Sequence, residues 1–81
     1  MKLKEVKMMC IKIEPKQNKD GKDYLMVTLA DMETGDTFNL VEKDMAYLSM
    51  LKPFMPYLLD LDLTSSKYGL NLKIEDIKSI N

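Results

Sequence analysis

Apolar and polar residues alternate over two stretches near the end of the chain, residues 59–64 and 70–75. A period of two residues is typical of a strand with one buried face. Between them, residues 65–69 are mostly small and polar and include a glycine. The pattern predicts two strands joined by a hairpin, with Tyr68 beside Lys67 at its tip.

Three further strands are predicted earlier in the chain, over residues 6–14, 24–30 and 37–41. The first has apolar residues on both faces, so we expect it to be covered on both or to be bent and shared between two sheets. Pro15 and the polar run 16–23 predict a long hairpin loop after it. Gly35 supplies the positive φ expected of the turn before the third strand.

The faces of the second and third strands follow from the same alternation. Leu25, Val27 and Leu29 share one face of the second strand, whereas Tyr24 opens the opposite face. Phe38 shares one face of the third strand with the leucine two positions later.

The period then changes to that of a helix over residues 42–51. Met45, Leu48 and Leu51 recur at helical spacing, and prolines follow from residue 53. The acids near the start and the lysine after the end suit the helix dipole. We interpret the methionines of this segment as core filler, because methionine fills irregular gaps readily.

Three strands, a short helical connection and two strands predict a mainly β fold in a single domain, residues 1–81. The helix between the third and fourth strands is typical of the five-stranded Greek-key barrel called the OB-fold. An SH3-like barrel is the nearest competitor. A core built from 81 residues gives marginal stability, so we also expect oligomerisation.

The residue inventory argues against catalysis and against a cofactor. The chain has no histidine, tryptophan or arginine, and Cys10 lies in an apolar run where it is expected to be a small core residue. Without a histidine, the cysteine lacks the usual base, and Asp60 with Asp62 is too little for a metal cage. We therefore expect a binding protein, not an enzyme, with no small-molecule substrate.

Composition also bears on location. No run approaches the roughly 20 apolar residues that span a bilayer, so no membrane association is expected. The first residues lack the apolar core of a secretory signal, and the chain has a single cysteine. We expect a cytoplasmic protein.

Charge is distributed unevenly although the formal net charge is only −1. Residues 1–22 carry a balance of +4, and residues 23–81 carry −5. This asymmetry suggests a surface for a polyanion near the start of the chain. The alternative is that the lysines serve only solubility.

Tyrosines and lysines near the two predicted hairpins are the candidates for binding single-stranded nucleic acid, in which bases stack on aromatic side chains and a basic groove follows the phosphates. The alternative for Tyr24 is cross-strand packing, and for Tyr68 an incidental surface position or a dimer contact. We interpret the other aromatic residues, Phe38, Phe54, Tyr47 and Tyr57, as core or subunit contacts. The candidate nucleic-acid-binding residues are Lys12, Lys16, Lys19, Lys22, Tyr24, Lys67, Tyr68 and Lys73.

Three segments, 11–15, 21–24 and 57–74, carry a resemblance to a known family. In these segments the chain resembles the small single-stranded-DNA-binding proteins of filamentous phages, of the gene V protein type, and related phage and plasmid proteins. The resemblance implies an OB-fold homodimer that coats single strands cooperatively with little sequence preference. It also implies a base-stacking role for Tyr24, groove positions for Lys16 and Lys22, and a place near the dimer axis for Tyr68. The family usually has arginines in the groove, and this chain has none.

The sequence therefore predicts a protein that coats single-stranded DNA, or RNA, in phage or plasmid replication. A rival hypothesis is a protein-binding module whose acid-rich majority docks on a basic surface of a replication or host protein. A third is a structural subunit of a larger assembly. Salt dependence separates the first from the others, because counterion release makes nucleic-acid affinity fall steeply as salt rises.

Overall fold

The chain folds into one sheet of five antiparallel strands, as the sequence predicts. The computed structural model describes residues 1–67 and 69–79. The elements are β1 (Lys2–Gln17), β2 (Asp23–Asp31), β3 (Thr37–Glu42), α1 (Tyr47–Met50), β4 (Met55–Ser66) and β5 (Gly69–Ser79). The strand order in the sheet is β3-β2-β1-β4-β5. The predicted order of three strands, a helical connection and two strands is confirmed.

The two edge strands, β3 and β5, do not close the sheet by hydrogen bonds within the described residues. Some of their Cα atoms nevertheless lie within 8 Å of each other, so the sheet curls strongly. Its inner face forms the core, which contains Cys10, Leu29, Leu51 and Leu59 among the side chains that are fully buried.

β1 is the central strand and is longer than the predicted residues 6–14. Its first half pairs with β4 and its second half with β2. A bulge between Cys10 and Lys12 shifts the register, so that Cys10 and Ile13 both face the core. The two-sided apolar pattern therefore reflects a strand that bends and changes partner.

The prediction of a long loop over residues 16–23, between β1 and β2, is wrong. β1 continues through Pro15, which lies opposite Leu25, to Gln17. The connection shortens to residues 18–22, because the Asn18 side chain accepts hydrogen bonds from the Asp20 and Lys22 N–H groups, both at 2.9 Å. A proline at this position costs little, since β1 pairs here with β2 and not with β4.

The prediction of a helix over residues 42–51 is also wrong, because α1 is a single turn. Glu42 stays in β3 and is buried, and only Leu51 of the expected apolar stripe enters the core. Met45, Leu48 and Met50 remain 37%, 42% and 47% exposed, so the methionines of this segment are not core filler. A short helix that buries little apolar surface lacks the packing that would extend it.

The remaining aromatic residues separate into two groups. Tyr57 is buried, and its hydroxyl accepts a hydrogen bond from the Lys52 N–H at 2.9 Å, while Tyr47 is half-buried against the core. Phe38 and Phe54 are exposed to 40% and 71%, so interpreting them as core residues is wrong. Their part in subunit contacts stays a prediction.

The hairpin between β4 and β5 is confirmed and is tighter than expected. Ser66 lies opposite Gly69, so only residues 67 and 68 connect the strands. Leu59 and Leu61 of β4 and Ile74 of β5 are buried, as the alternation predicts. Tyr68 lies outside the described residues.

Ion pairs join β1 to β4 and β5 on the outer side of the sheet. Lys2 pairs with Asp62 and Glu75, Lys4 with Asp60, and Lys78 with Glu5. These contacts place Lys2 and Lys4 beside carboxylates of β4 and β5, on the opposite side of β1 from β2. They also give Asp60 and Asp62 lysine partners within the chain.

Asp60 also fixes a second bulge in β1. Glu5 has a positive φ of 51°, and its N–H donates to Asp60 Oδ1 at 2.9 Å. This hydrogen bond, with nearby Lys78 and Lys4, lowers the pKa of the Asp60 carboxyl. A pKa lowered on folding stabilises the fold above the unfolded-state value, about 3.9, and this stabilisation is lost as pH falls through the folded-state value.

We therefore expect Asp60→Ala to lower the Tm more at about pH 7 than at about pH 3. Asp60→Asn, which keeps a hydrogen-bond acceptor, serves as the control and should lower the Tm less than Asp60→Ala does. Thermal unfolding followed by circular dichroism measures both. An equal Tm loss at the two pH values would contradict a role for the ionised carboxylate.

Candidate nucleic-acid interface

The outer face of β1, β2 and β3 carries most of the candidate residues. Antiparallel partners share a face of a sheet, so the register shows which side chains lie side by side. Lys16 lies opposite Tyr24, Glu14 opposite Met26, and Lys12 opposite Thr28. On the other side of β2, Val41 lies opposite Met26 and Asn39 opposite Thr28. We call these eight residues the outer face: Lys12, Glu14, Lys16, Tyr24, Met26, Thr28, Asn39 and Val41.

The outer face exists because the opposite side of the same strands is apolar. Leu25, Val27 and Leu29 are fully buried, so the residues between them must point outward. Tyr24, Met26 and Thr28 on β2 are half-buried by their neighbours on β1 and β3. Tyr24 therefore has both cross-strand contacts and an accessible surface.

A hollow of about 640 Å³ lies beside Tyr24. Met26 and Val41 provide apolar lining, and Lys22 and Lys43 provide positive charge. Asp20 and Asp23 also line the hollow. The arrangement combines an aromatic side chain, apolar surface and cations, which is the combination that binds a base and its phosphate.

The β1–β2 connection holds Lys22 at this hollow. The Asn18 N–H donates to the Lys22 carbonyl at 3.0 Å, and Gln17 Nε2 donates to the Gly21 carbonyl at 3.0 Å. Gly21 has a φ of 81°, a conformation that glycine adopts without steric cost. Lys19 lies at the exposed turn of the same connection and does not line the hollow.

Lys73 approaches the same surface from β5. With Met26, Val41 and Lys43 it lines a cleft of about 770 Å³ between the two edge strands. Glu42 and Asp44 also line this cleft. The curl of the sheet thus brings a lysine from the end of the chain beside residues of β2 and β3, and the charges in the cleft are mixed.

The other candidate lysines lie farther from Tyr24. Lys12 forms an ion pair with Glu14 at 3.0 Å, and this contact lowers the pKa of the Glu14 carboxyl. Both side chains are exposed, so the pair contributes little stability and can exchange for another partner. Lys67 lies at the turn between β4 and β5.

Sequence reasoning missed Lys43, Met26 and Val41 as parts of this surface. Met26 follows from period-two alternation with Tyr24, a signal available in the sequence. Val41 and Lys43 depend on the pairing of β3 with β2, which places Val41 opposite Met26 and Glu42 opposite Leu25. That register is a tertiary property.

Metal-binding and nucleophilic groups are few in the part of the chain that the structure describes. Across residues 1–67 and 69–79, no three cysteine or carboxylate side chains lie together in a way that could hold a metal ion. Cys10 is fully buried, as the sequence predicts, and burial raises the pKa of its thiol. A buried thiol with a raised pKa is a poor nucleophile.

A scan of protein-family models and searches of curated proteins and of solved structures found no match to this chain. The fold and site define a small, mainly β protein of five antiparallel strands and one helical turn in the described residues, with a tyrosine and several lysines on one outer face. Among those residues, no helix is long and apolar enough to cross a membrane.

Proposed function

We propose that this protein binds single-stranded DNA with little sequence preference, coating it in phage or plasmid replication. The observation that carries the proposal is the hollow that Tyr24 lines together with Lys22 and Lys43, with Lys16 opposite Tyr24 on β1. Tyr24 stacks on a base, and the lysines contact phosphates without reading sequence. RNA single strands offer the same phosphates and bases.

The proposed fold is an OB-fold barrel. The strand order β3-β2-β1-β4-β5, the helical turn between β3 and β4, and the approach of β3 to β5 support it. In such a barrel the outer face of β2 and β3 binds oligonucleotides between flanking loops. The outer face of this chain occupies that position, and Lys73 flanks it.

A homodimer is part of the proposal. Isolated domains of this size have small cores, and exposed apolar side chains at Leu48 and Met50 offer surface for a second subunit. Two strand-binding faces on one particle raise avidity for a long single strand through effective concentration. Tyr68 retains its proposed place near the dimer axis.

The direct test is fluorescence anisotropy of a labelled oligo-dT titrated with the protein at roughly 50 mM and 200 mM salt. Tight binding that weakens several-fold at the higher salt, with weak binding of a duplex of equal length, supports the proposal. An absence of binding at the lower salt rejects it.

Tyr24→Ala should weaken oligo-dT binding by about 5- to 150-fold, because a stacked base contributes about 1–3 kcal/mol. Tyr24→Phe keeps the ring and should bind within a few-fold of the wild type. The same anisotropy assay measures both variants, and circular dichroism checks that they fold. Equal affinity of the alanine variant and the wild type would mean that Tyr24 is a packing residue only.

A protein-binding module remains the alternative, favoured by the exposed side chains of Met45, Leu48 and Met50. A contact built on apolar area is much less sensitive to salt than a contact with phosphates. If oligo-dT does not bind, a partner whose affinity is nearly constant between roughly 50 mM and 200 mM salt would favour this second function.

A further inference from the structure

Phe54 combines two unfavourable properties in one residue. Its side chain is 71% exposed, and its φ of 65° lies in the left-handed region that favours glycine. A bulky residue in this region carries a steric cost that glycine does not. Such strain is concentrated at functional sites, where it is retained because the residue serves another purpose.

The backbone of Phe54 is held firmly against β1. Its N–H donates to the Cys10 carbonyl at 2.6 Å, just where the pairing of β4 with β1 ends at Met55. The β1 bulge follows Cys10 directly and brings Lys12 onto the outer face. The backbone of Phe54 is therefore fixed at Cys10, two residues before Lys12 on β1.

The charged residues next to Phe54 favour an anionic ligand. Lys52 lies two positions earlier in the same connection, and Lys12 lies two positions after the Cys10 carbonyl that Phe54 contacts. The partner of Lys12 is the exposed Glu14, whose ion pair a phosphate can replace at little cost. An exposed aromatic side chain with lysines close by along the backbone is suited to stacking on a base of a single strand.

We propose that Phe54 is a second stacking platform for the single strand that binds at Tyr24. The proposal rests on the proposed function and extends the binding path along β1. Lys16 lies opposite Tyr24, and Cys10 accepts the hydrogen bond from Phe54. These two β1 residues are six positions apart, which is about 20 Å along a strand. A single strand that crosses the outer face meets Tyr24 and Lys16 at one end, Lys12 along the way and Phe54 at the other end.

Phe54→Gly tests this directly, because it removes the ring and also relieves the backbone. We expect oligo-dT affinity to fall by about 5- to 150-fold while the Tm stays equal to or above that of the wild type. Met32→Ala, which removes another exposed apolar side chain in the turn between β2 and β3, is the matched control and should leave affinity unchanged. Anisotropy and thermal unfolding provide the two measurements.

Phe54→Trp provides a second readout, since the chain contains no other tryptophan. Stacking of a base on the new indole should quench its emission during the oligo-dT titration. If anisotropy reports binding while the emission is unchanged, Phe54 does not contact a base. This result holds even if the glycine variant fails to fold.

The outcomes separate this proposal from the proposed function. If the wild type binds oligo-dT and Phe54→Gly binds equally well, the stacking role of Phe54 is overturned and the function stands. If the wild type does not bind, both are overturned. If light scattering shows that Phe54→Gly loses self-association while its affinity per subunit is unchanged, Phe54 belongs to a protein contact and not to the nucleic-acid path.

Discussion

Replacing Lys16, Lys22 and Lys43 together by glutamine should lower the affinity for oligo-dT by about ten- to hundredfold at roughly 50 mM salt. Each phosphate contact with a single strand contributes about −0.7 to the slope of log affinity against log salt, so the slope should become shallower by about 2. All three lysines lie at or beside the Tyr24 hollow. The loss should be about the same for oligonucleotides of different sequence, because phosphate contacts carry no sequence information.

The chain offers a matched control on its other side. Replacing Lys2, Lys4 and Lys78 by glutamine changes the net charge by the same amount, but these lysines pair with carboxylates along β1, β4 and β5. This control should leave the affinity and its salt slope near the wild-type values. Equal losses in the two triple variants would indicate a general effect of net charge and would remove the outer face from the binding site. A loss confined to one oligonucleotide sequence would contradict the phosphate-contact role.

Leu59→Ala should lower the free energy of unfolding by about 2–5 kcal/mol, since it opens a cavity in a core that cannot collapse fully. Leu59 is fully buried in β4, between the pairing partners Val6 and Ile77. A domain of this length has a total stability of about 4–12 kcal/mol, so we expect the variant to lose a large part of it. Urea denaturation followed by circular dichroism measures the change.

The neighbouring residue Leu58 is the control for this prediction. It lies opposite Lys7 and Lys78 on the outer side of the sheet and is half-buried. Leu58→Ala should cost roughly 1 kcal/mol or less. Comparable losses for the two alanine variants would contradict the assignment of inner and outer faces in β4.

Local patterns in the sequence were sufficient to predict all five strands and the faces of most of them. Period-two alternation identified the buried leucines of β2 and β4, because one face of each strand is apolar and the other polar. The same alternation placed Tyr24 on the side of β2 opposite the core, where the structure has it. The burial of Cys10 followed from its apolar surroundings.

Predictions that depended on packing were less successful. Helical spacing over residues 42–51 was present, but the segment buries only Leu51 and forms one turn, since a short helix gains its stability from tertiary contacts. Phe38 and Phe54 are apolar, yet each is exposed by the path of the chain around it. The hydrophobicity of a side chain favours its burial, but the packing of the whole fold determines whether it is buried.

The sequence by itself therefore determined the strands, their buried faces and the supply of lysines and tyrosines, because these depend on residues two or a few positions apart. Only the tertiary structure decided which lysines lie together: it pairs Lys2 and Lys4 with carboxylates and brings Lys43 and Lys73 to the outer face. The β1 bulge and the curl of the sheet produce this sorting through contacts between strands that are distant in the chain. The local periodicity of the sequence does not predict contacts between such distant strands.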